Sequence, residues 1–487
     1  MIFVGWKKRC QALEAENRQL RQRNVWLEQR LAQLEAQNTH LIQSLAAAKK
    51  HSGNSSKCPS SDIVKPAAAR RKSKRRRGGQ RGHPKHTHPA FPPDQVHERR
   101  PYRLRHCPVN PAHRIVPADH RQRVLQQVEL VDQPFRVTEH IAYGIWCQDC
   151  HRYHDAPFPQ EVQRAGLFGP RLTSLTAYLK GKLHGSYSGV RDFVQDVVGV
   201  KVSRGYVAKL LRKASQAFGP PHGQLLELLP HQAHLNGDET GHKNNGQRYW
   251  IWCFRAVNFV VFKIEASRGT EVLVRILGDG FRGILGCDYY AAYRKYARQC
   301  SVLVQFCLAH LIRDVKYLGE FPDAHVQRYG QRLLAGLRGL FHVLHRRDQL
   351  PPEAFARKLA AAKQRILAAA LEPRQFPQRF GGDPVHRLIA NLARRFAQHG
   401  EAYFQFVATP GIDPTNNVVE QAMRFVVIDR HVTQGTRSAW GRELCERLWT
   451  VMATCALHKH SAFTWMGQAI QASFQGRSAP SLVPDTS

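Results

Sequence analysis

The chain has 487 residues, and its 72 lysines and arginines against 37 aspartates and glutamates give it a formal net charge of +35. Its 43% of apolar residues is enough for packed domains, which excludes wholesale disorder, and so large a positive charge favours a polyanionic partner, with nucleic acid first. No apolar run is long enough to span a membrane or to form the core of a signal peptide, which predicts a soluble, cytoplasmic protein, and eleven cysteines are too sparse for a disulfide scaffold.

Residues 1–50 carry a leucine at every seventh position, with no proline or glycine between the leucines. The repeat consists of Leu13, Leu20, Leu27, Leu34 and Leu41. This spacing predicts a leucine-zipper coiled coil. Asparagine at several of the paired core positions favours two parallel strands, and flanking pairs such as Glu16 with Arg21 are opposite in sign, so we expect a homodimer. An amphipathic helix docked on the body of the same chain is the alternative.

Residues 51–95 lose this periodicity and are rich in Ser, Pro, Gly, Lys and Arg, which predicts a disordered basic linker. Its densest cationic run contains Arg70, Arg71, Lys72, Lys74, Arg75, Arg76 and Arg77. Each cation that reaches a phosphate displaces a counterion, so the run predicts salt-sensitive, sequence-independent DNA binding. A solvated tail that only keeps the protein in solution is the alternative.

Residues 96–160 are predicted to form a small zinc-binding ribbon. Cys147 and Cys150 have the two-residue spacing with which two thiolates hold one tetrahedral ion, and Cys107 lies forty residues upstream. His113 is a candidate for the fourth ligand of this structural Zn²⁺, and the nearby alternatives are His106, His151 and His154. A pair of reduced, buried thiols is the alternative.

Residues 165–225 are predicted to form a helix-turn-helix-like DNA-binding domain. A helix from Gly189 to Val197 is followed by a turn through Gly199 and a second helix capped by Ser203. The exposed face of the second helix carries four cations that could contact phosphates or guanine edges. They are Arg204, Lys209, Arg212 and Lys213. A plain helical packing unit is the alternative.

Beyond residue 230, aromatic and β-branched residues predict three adjacent strands at 234–240, 249–256 and 259–266. A helix from 270 to 277 and an apolar strand from 283 to 287 follow. This order is that of a ribonuclease-H-like fold, in which Asp238 and Asp288, at the ends of the first and fourth strands, come close together. Two such carboxylates favour cations between them, which predicts a site for two Mg²⁺ ions.

At these residues the chain resembles the transposases of the insertion-sequence-66 family, a group within the DDE transposases. The similar motifs are Asn54–Asp62, Gly78–His83, Gly237–Thr240, Cys287–Tyr293, Cys307–His310 and Asn416–Gln421. Their order, with the zipper before them and Cys-x2-Cys between, makes the resemblance specific. One departure concerns the zinc ribbon, which in the family usually opens with a second Cys-x2-Cys, whereas no second cysteine closely follows Cys107.

The resemblance implies a catalytic triad of Asp238, Asp288 and Glu420 that holds two Mg²⁺ ions, for which Mn²⁺ can substitute. It also implies a transposase of a bacterial insertion sequence, which binds double-stranded transposon ends and target DNA, cleaves strands and transfers them, with accessory proteins of the same element as further partners. Arg424, one turn beyond Glu420, could hold a phosphate or form an ordinary surface pair. A catalytically inactive DNA-binding regulator is the alternative function.

The predicted fold is therefore multidomain: an N-terminal coiled coil, a small zinc-binding ribbon, a helical domain and an α/β ribonuclease-H-like catalytic domain with a helical insertion. The catalytic domain is divided into residues 230–310 and 407–470, with the insertion at 311–406 and a disordered tail at 471–487. Glu239 is not expected to replace Asp238 as a ligand, because neighbouring strand residues point to opposite faces. Cys307 and His310 are expected to have a structural role near the active site.

Overall fold

The computed structural model describes residues 2–48, 134–149, 152–375 and 386–483, together with residues 92, 110 and 112. The cationic run at 70–77 and the zinc candidates Cys107, His113 and Cys150 lie outside these residues. In the part of the chain that is described, no helix is both long enough and apolar enough to cross a membrane.

The first element is α1 (Ile2–Ala48), a single helix of 47 residues. At 1.5 Å per residue it is about 70 Å long. The five leucines of the heptad row are 48% to 65% exposed, so the described part of the chain does not cover them. The row therefore remains available to a second helix.

A two-stranded antiparallel sheet follows, formed by β1 (Gly144–Cys147) and β2 (Arg152–Asp155). Cys147 is the last residue of β1 and pairs with Arg152 across the turn. This hairpin lies within the segment that the sequence assigns to the zinc ribbon.

Four helices form the next segment: α2 (Gln160–Ala165), α3 (Pro170–Lys182), α4 (Tyr187–Asp196) and α5 (Arg204–Leu228). The Ser203 hydroxyl accepts from the Tyr206 N–H at 3.1 Å, so the predicted cap of α5 is confirmed. The preceding helix begins two residues earlier than predicted, because Ser186 caps it by accepting from the Gly189 N–H at 2.9 Å.

A five-stranded mixed sheet lies beyond these helices. Its elements are β3 (His234–Asn244), β4 (Gln247–Arg255), β5 (Val260–Glu265), α6 (Thr270–Leu277), β6 (Ile284–Cys287), α7 (Ala291–Gln299) and β7 (Leu303–Phe306). The strand order is β5-β4-β3-β6-β7; β4 is antiparallel to β3 and β5, while β6 is parallel to β3 and β7. Asn245 and Gly246, both with positive φ, close the first hairpin, and β3 extends four residues past its predicted end.

The rest of the described chain is helical. Its helices are α8 (Leu308–Gly319), α9 (Ala324–Leu344), α10 (Pro352–Gln375), α11 (Arg387–His399), α12 (Gln405–Ala408), α13 (Asn417–Thr433), α14 (Ala439–Leu457) and α15 (Ala462–Phe474). Helices α13 and α14 pack on one face of the sheet, where Val419 and Trp449 contact the cluster around Ile251 and Phe262.

The segment predicted as a tail is partly folded. Residues 471–474 belong to α15, and Leu482 is buried. The Trp465 indole N–H donates to the Ser481 carbonyl at 3.1 Å, which holds the segment after α15 against that helix. The predicted boundary near residue 230 is also crossed by packing, since α5, α15 and the sheet contribute to one contiguous core cluster.

One buried histidine of this core predicts a pH dependence of stability. His222 Nε2 donates to the Phe262 carbonyl at 3.1 Å, and burial lowers the pKa of His222 from 6.5 to about 4. The unfolded chain takes up this proton below pH 6.5, whereas the folded chain does so only near pH 4, so the free energy of unfolding falls across that window. By pH 5 the loss should be about 2 kcal/mol relative to pH 7.5.

Denaturant unfolding of the His222→Gln variant, followed by tryptophan fluorescence, should show a correspondingly smaller loss between pH 7.5 and pH 5. The exposed His431 is the matched control, and His431→Gln should behave like the wild type. An equal loss in wild type and His222→Gln would mean that His222 is protonated in the folded chain.

Candidate active site

Two strands and one helix position the three carboxylates of the predicted triad. Asp238 lies within β3, and Asp288 directly follows β6. In the parallel register Asn236 lies opposite Gly286, so continuing by two residues brings Asp288 level with Asp238. Glu420 lies in the first turn of α13, which packs on the same sheet.

Electrostatic coupling connects these carboxylates. The pKa of Asp238 is raised well above its ordinary value, first by burial and then by the negative charges of Glu239, Asp288 and Glu420. One opposing effect comes from the Glu239 backbone N–H, which donates to Asp238 Oδ1 at 2.9 Å. The site therefore concentrates negative charge that a cation would neutralise.

The surroundings of Asp288 are similar. Burial raises the pKa of Asp288, while the Tyr290 backbone N–H, donating at 2.9 Å to Asp288 Oδ1, and the charges of Arg268 and Arg395 lower it. The backbone bond fixes the orientation of the carboxylate by using one oxygen.

Glu239 points to the face of β3 opposite Asp238. Asp238 pairs with Cys253 and therefore faces α13, whereas Glu239 pairs with Trp252 on the opposite face. The Tyr293 hydroxyl donates to Glu239 Oε2 at 2.5 Å, and Arg268 contacts Oε1 at 2.6 Å. Both carboxylate oxygens of Glu239 thus have partners on that face of the sheet. Burial and then the charge of Asp288 raise the pKa of Glu239 to about 7.

Glu420 contacts α8. Its Oε1 lies 3.4 Å from an Arg313 nitrogen and 3.6 Å from His310 Nδ1. Burial and the nearby charge of Arg313 lower the pKa of His310 to about 4, so its ring is neutral at physiological pH. Ligand atoms of Cys307, His310 and Glu420 lie within 4.8 Å of one another and could hold a metal ion.

The thiol of Cys307 is poorly suited to be the metal-binding group of this trio. Burial raises the pKa of Cys307 to about 11, and thiolates rather than thiols bind metals. Its Sγ already accepts from the Asn416 N–H at 3.1 Å. Cys307 thus holds the segment that begins α13, and Glu420 is the group of the trio best suited to a hard cation.

Asn416 connects that segment to the strand that carries Asp238. Its amide nitrogen donates to the Gly237 carbonyl at 2.8 Å, and its amide oxygen accepts from Asn236 Nδ2, also at 2.8 Å. Asn416 is buried, and its carbonyl accepts from the Glu420 N–H at 3.2 Å. The side chain therefore sets the position of α13 relative to β3.

The predicted DNA-contacting cations of α5 have different surroundings. Arg204 and Lys209 are exposed, and Arg212 lies over the Trp440 ring at 5.1 Å. Lys213 Nζ donates to the carbonyls of Arg164 and Ala165 at 2.6 and 2.9 Å, which holds the end of α2 and competes with a phosphate contact.

The remaining predicted site residues lie on α13, in the zinc-ribbon segment, in the cationic run and on α1, and only some of them are among the described residues. Arg424 is exposed on α13, one turn beyond Glu420. The backbone of Cys147 ends β1, while its predicted co-ligands lie outside the described residues, as does the cationic run. The heptad leucines line one row of α1.

Several arginines lie near the carboxylates without any signal in the sequence pattern. Arg268 lies over the rings of Tyr290 at 3.7 Å and Trp250 at 4.8 Å while contacting Glu239. Arg313 reaches Glu420 from a helix more than one hundred residues upstream. No local pattern distinguishes them from the many other arginines of the chain; only the tertiary contacts do.

Comparison with known proteins gives two family matches. Residues 165–444, more than half of the chain, match the family described as "Transposase IS66 family", and this region includes Asp238, Asp288 and Glu420. Residues 7–89 match a family of unknown function (DUF6444). The uncharacterized protein y4hP of Sinorhizobium fredii (strain NBRC 101917 / NGR234) is 20% identical over 379 residues, which cover 71% of this chain and 67% of that protein.

Proposed function

Because the chain belongs to the IS66 family of transposases, we propose that it cleaves and joins DNA by a metal-dependent mechanism at Asp238, Asp288 and Glu420. The observation that carries the proposal is the placement of these carboxylates by β3, the end of β6 and the first turn of α13 on one sheet, in a chain with a net charge of +35. A charge cluster of this kind inside a basic protein is the arrangement expected of a centre that acts on a polyanion.

The proposed catalytic domain has a ribonuclease-H-like fold. Its support is the sheet, in which three antiparallel strands are followed by two strands parallel to the first, with order β5-β4-β3-β6-β7. The helices α8 to α11 would be the insertion between the last strand and the helix that carries Glu420.

Divalent cations fit the donor set of the site. All three groups are carboxylates, the ligands that Mg²⁺ and Mn²⁺ prefer. Burial, and then the negative charges of Glu239, Asp288 and Glu420, raise the pKa of Asp238. When bound, two such ions would activate the attacking water or DNA 3′-hydroxyl and stabilise the charge on the leaving oxygen.

The chain's own residues would prepare the site for this chemistry. The backbone N–H groups of Glu239 and Tyr290 each hold one oxygen of a triad aspartate, which leaves the other oxygen to face the cations. Glu420 completes the site from α13, at a helix N-terminus that favours negative charge. Arg313, beside Glu420, would attract the phosphate of the strand to be cut.

DNA contacts outside the centre would come from exposed cations. Arg204, Lys209, Arg212 and Arg424 are accessible, and the cationic run at 70–77 would add sequence-independent affinity. Lys213 is the weakest of the predicted contacts because it holds the end of α2.

Residues 1–160 would assemble the active complex in the bacterial cytoplasm, with the element's accessory proteins as further partners. The uncovered leucine row of α1 supports a homodimeric coiled coil. The β1–β2 hairpin, with Cys147 beside its turn, supports a structural zinc ribbon with Cys107, Cys150 and His113.

A cleavage and joining assay tests the proposed function. The full chain is incubated with a labelled DNA fragment that carries the ends of its element, a target plasmid and Mg²⁺. We expect cut ends with a free 3′-hydroxyl and joined products, both removed by excess EDTA. A chain that binds the ends but neither cuts nor joins them in Mg²⁺ or Mn²⁺ would instead be the regulator.

Removal of the Asn416 side chain should impair the reaction without touching a carboxylate. Asn416→Ala breaks both bonds between α13 and β3, and a shift of about 1 Å at the reacting groups can cost about 100-fold in rate. We expect a loss of this size in single-turnover cleavage, with DNA affinity unchanged.

The exposed neighbour Asn417 provides the matched control, since Asn417→Ala deletes the same amide one residue later. Asn417→Ala should cut at the wild-type rate. Equal rates for Asn416→Ala and wild type would show that the contact with β3 does not position Glu420.

A further inference from the structure

A cavity of about 430 Å³ lies between α7, α8 and α11, beside the candidate active site. Tyr289, which follows Asp288 in the chain, lines it together with Arg294, Asp314, Arg394 and Arg395. The cavity wall thus combines three cations with one anion. None of the three arginines belongs to the DNA contacts proposed above.

Two of the guanidinium groups lie over one aromatic ring. The carbon at the centre of the Arg395 guanidinium is 3.8 Å from the Tyr289 ring centroid, and that of Arg294 is 4.4 Å away. Stacking on Tyr289 restricts both side chains, which reduces the entropy lost when they bind a ligand.

Arg294 and Arg395 each have an N–H donor without a hydrogen-bond partner among the described residues. Arg395 NH1 donates to Asp314 Oδ2 at 2.9 Å, and its Nε donates to the Tyr403 hydroxyl. Its NH2 and the Arg294 Nε are buried and have no hydrogen-bond partner among the described residues. Buried donors are rarely left unpaired in proteins, and both of these belong to side chains that line the cavity.

The charge around the cavity favours an anion as that acceptor. Asp314 balances Arg395, which leaves Arg294 and the exposed Arg394 in excess. The same positive field acts on His399 at the end of α11, whose pKa is lowered by burial and then by the arginine charges. Guanidinium groups with free N–H donors match the oxygens of a phosphate.

The cavity adjoins the carboxylates. Tyr289, on the cavity wall, is the residue directly after Asp288 in the chain. Asp314 also lies one helical turn after His310, which contacts Glu420. A DNA strand placed across the triad would bring a neighbouring phosphate to this wall.

We propose that the Arg294–Arg395 cavity binds a backbone phosphodiester of the DNA substrate, adjacent to the phosphate that is cut. This inference rests on the proposed function for its substrate. The bound phosphate accepts from the free donors of both arginines and fixes the register of the strand at the carboxylates. An acidic peptide is the other anion that could enter, and the test below separates the two.

The experiment combines protein variants with single neutral phosphates. Binding of the full chain to end DNA is measured by fluorescence anisotropy in EDTA, with one phosphate at a time near the cleavage point replaced by methylphosphonate. We expect wild type to lose about tenfold in affinity at one position next to the cut. Arg294→Gln should bind unmodified DNA about tenfold more weakly. At that one position, methylphosphonate replacement should no longer lower the affinity of this variant.

Two further variants keep the result interpretable. Lys295→Gln removes the same charge from the exposed neighbouring position of α7, outside the cavity wall, and should keep the wild-type profile. Arg394→Gln, at an exposed part of the wall, should weaken sensitivity at the same phosphate, which keeps the test valid if Arg294→Gln does not fold.

The outcomes separate this inference from the proposed function. If the dependence of affinity on methylphosphonate position is unchanged in both Arg294→Gln and Arg394→Gln, the phosphate site is overturned even if the wild type cuts DNA. An acidic peptide is then the remaining candidate ligand of the cavity. The predicted change in profile without any cleavage in Mg²⁺ overturns the proposed function and supports the phosphate site. A wild-type chain that does not bind end DNA overturns both.

Discussion

Replacing Asp288 with asparagine is expected to slow DNA cleavage at least about 10³-fold. The substitution keeps the size of the side chain and the oxygen that accepts from the Tyr290 N–H, but removes the charge that would bind the cations. Metal ions contribute several kcal/mol of transition-state stabilisation, and each 1.36 kcal/mol, roughly, corresponds to a factor of ten in rate. The rate is measured in single-turnover cleavage of end DNA with Mg²⁺.

The same variant should remain folded and bind DNA. Burial raises the pKa of Asp288, so removal of its charge relieves repulsion within the site rather than breaking a stabilising pair. Asp279→Asn is the matched control, because Asp279 is exposed and lies on the loop before β6. We expect that control to cut at the wild-type rate. If Asp288→Asn cut DNA as fast as wild type, Asp288 would not belong to the catalytic centre.

If α1 forms the proposed homodimeric coiled coil, substitution of its central leucines is expected to give a monomer. The triple change Leu20→Lys, Leu27→Lys and Leu34→Lys places charges along a row that the rest of the described chain leaves exposed. Full burial of a leucine contributes about 1.5–3 kcal/mol, so losing three on each helix removes most of the association energy. The molar mass measured by light scattering should fall from twice the chain mass of 55.5 kDa to the mass of a single chain.

The control changes Gln22 and Gln29 to lysine, on the side of α1 opposite the leucine row. That variant should stay dimeric. Since the leucines are exposed within one chain, neither set of changes should alter the stability of the folded body. A leucine-to-lysine variant that keeps the dimer mass would place the interface elsewhere and would contradict the coiled coil.

The parts of the fold predicted from sequence have local physical causes. Ser203 is a good cap wherever a helix starts, and aromatic and β-branched residues favour the strands β4 and β5. The short strand β7 was missed because it has four residues and a polar one near its centre. That residue, Gln305, is buried and donates to the Tyr403 carbonyl almost one hundred residues away.

The candidate site also contains some residues that the sequence pattern predicts and others that it does not. Asp238 and Asp288 follow from the strand order, whereas Glu420 was selected from the many acidic residues by a family resemblance. Asn416 belongs to a motif of the family, but no local pattern predicts its contacts, since its partners Asn236 and Gly237 are about 180 residues away. The arginines that surround the carboxylates are likewise defined by contacts between distant segments, which periodicity does not encode.

The number of Mn²⁺ ions bound per chain is the most direct test of a metal centre formed by Asp238, Asp288 and Glu420. It is measured by electron paramagnetic resonance titration of the full chain in complex with end DNA, for wild type, Asp238→Asn and Glu420→Gln. We predict two ions per wild-type chain and the loss of at least one in each variant, with DNA still bound. An unchanged number of bound ions in both variants would contradict a metal centre formed by these carboxylates.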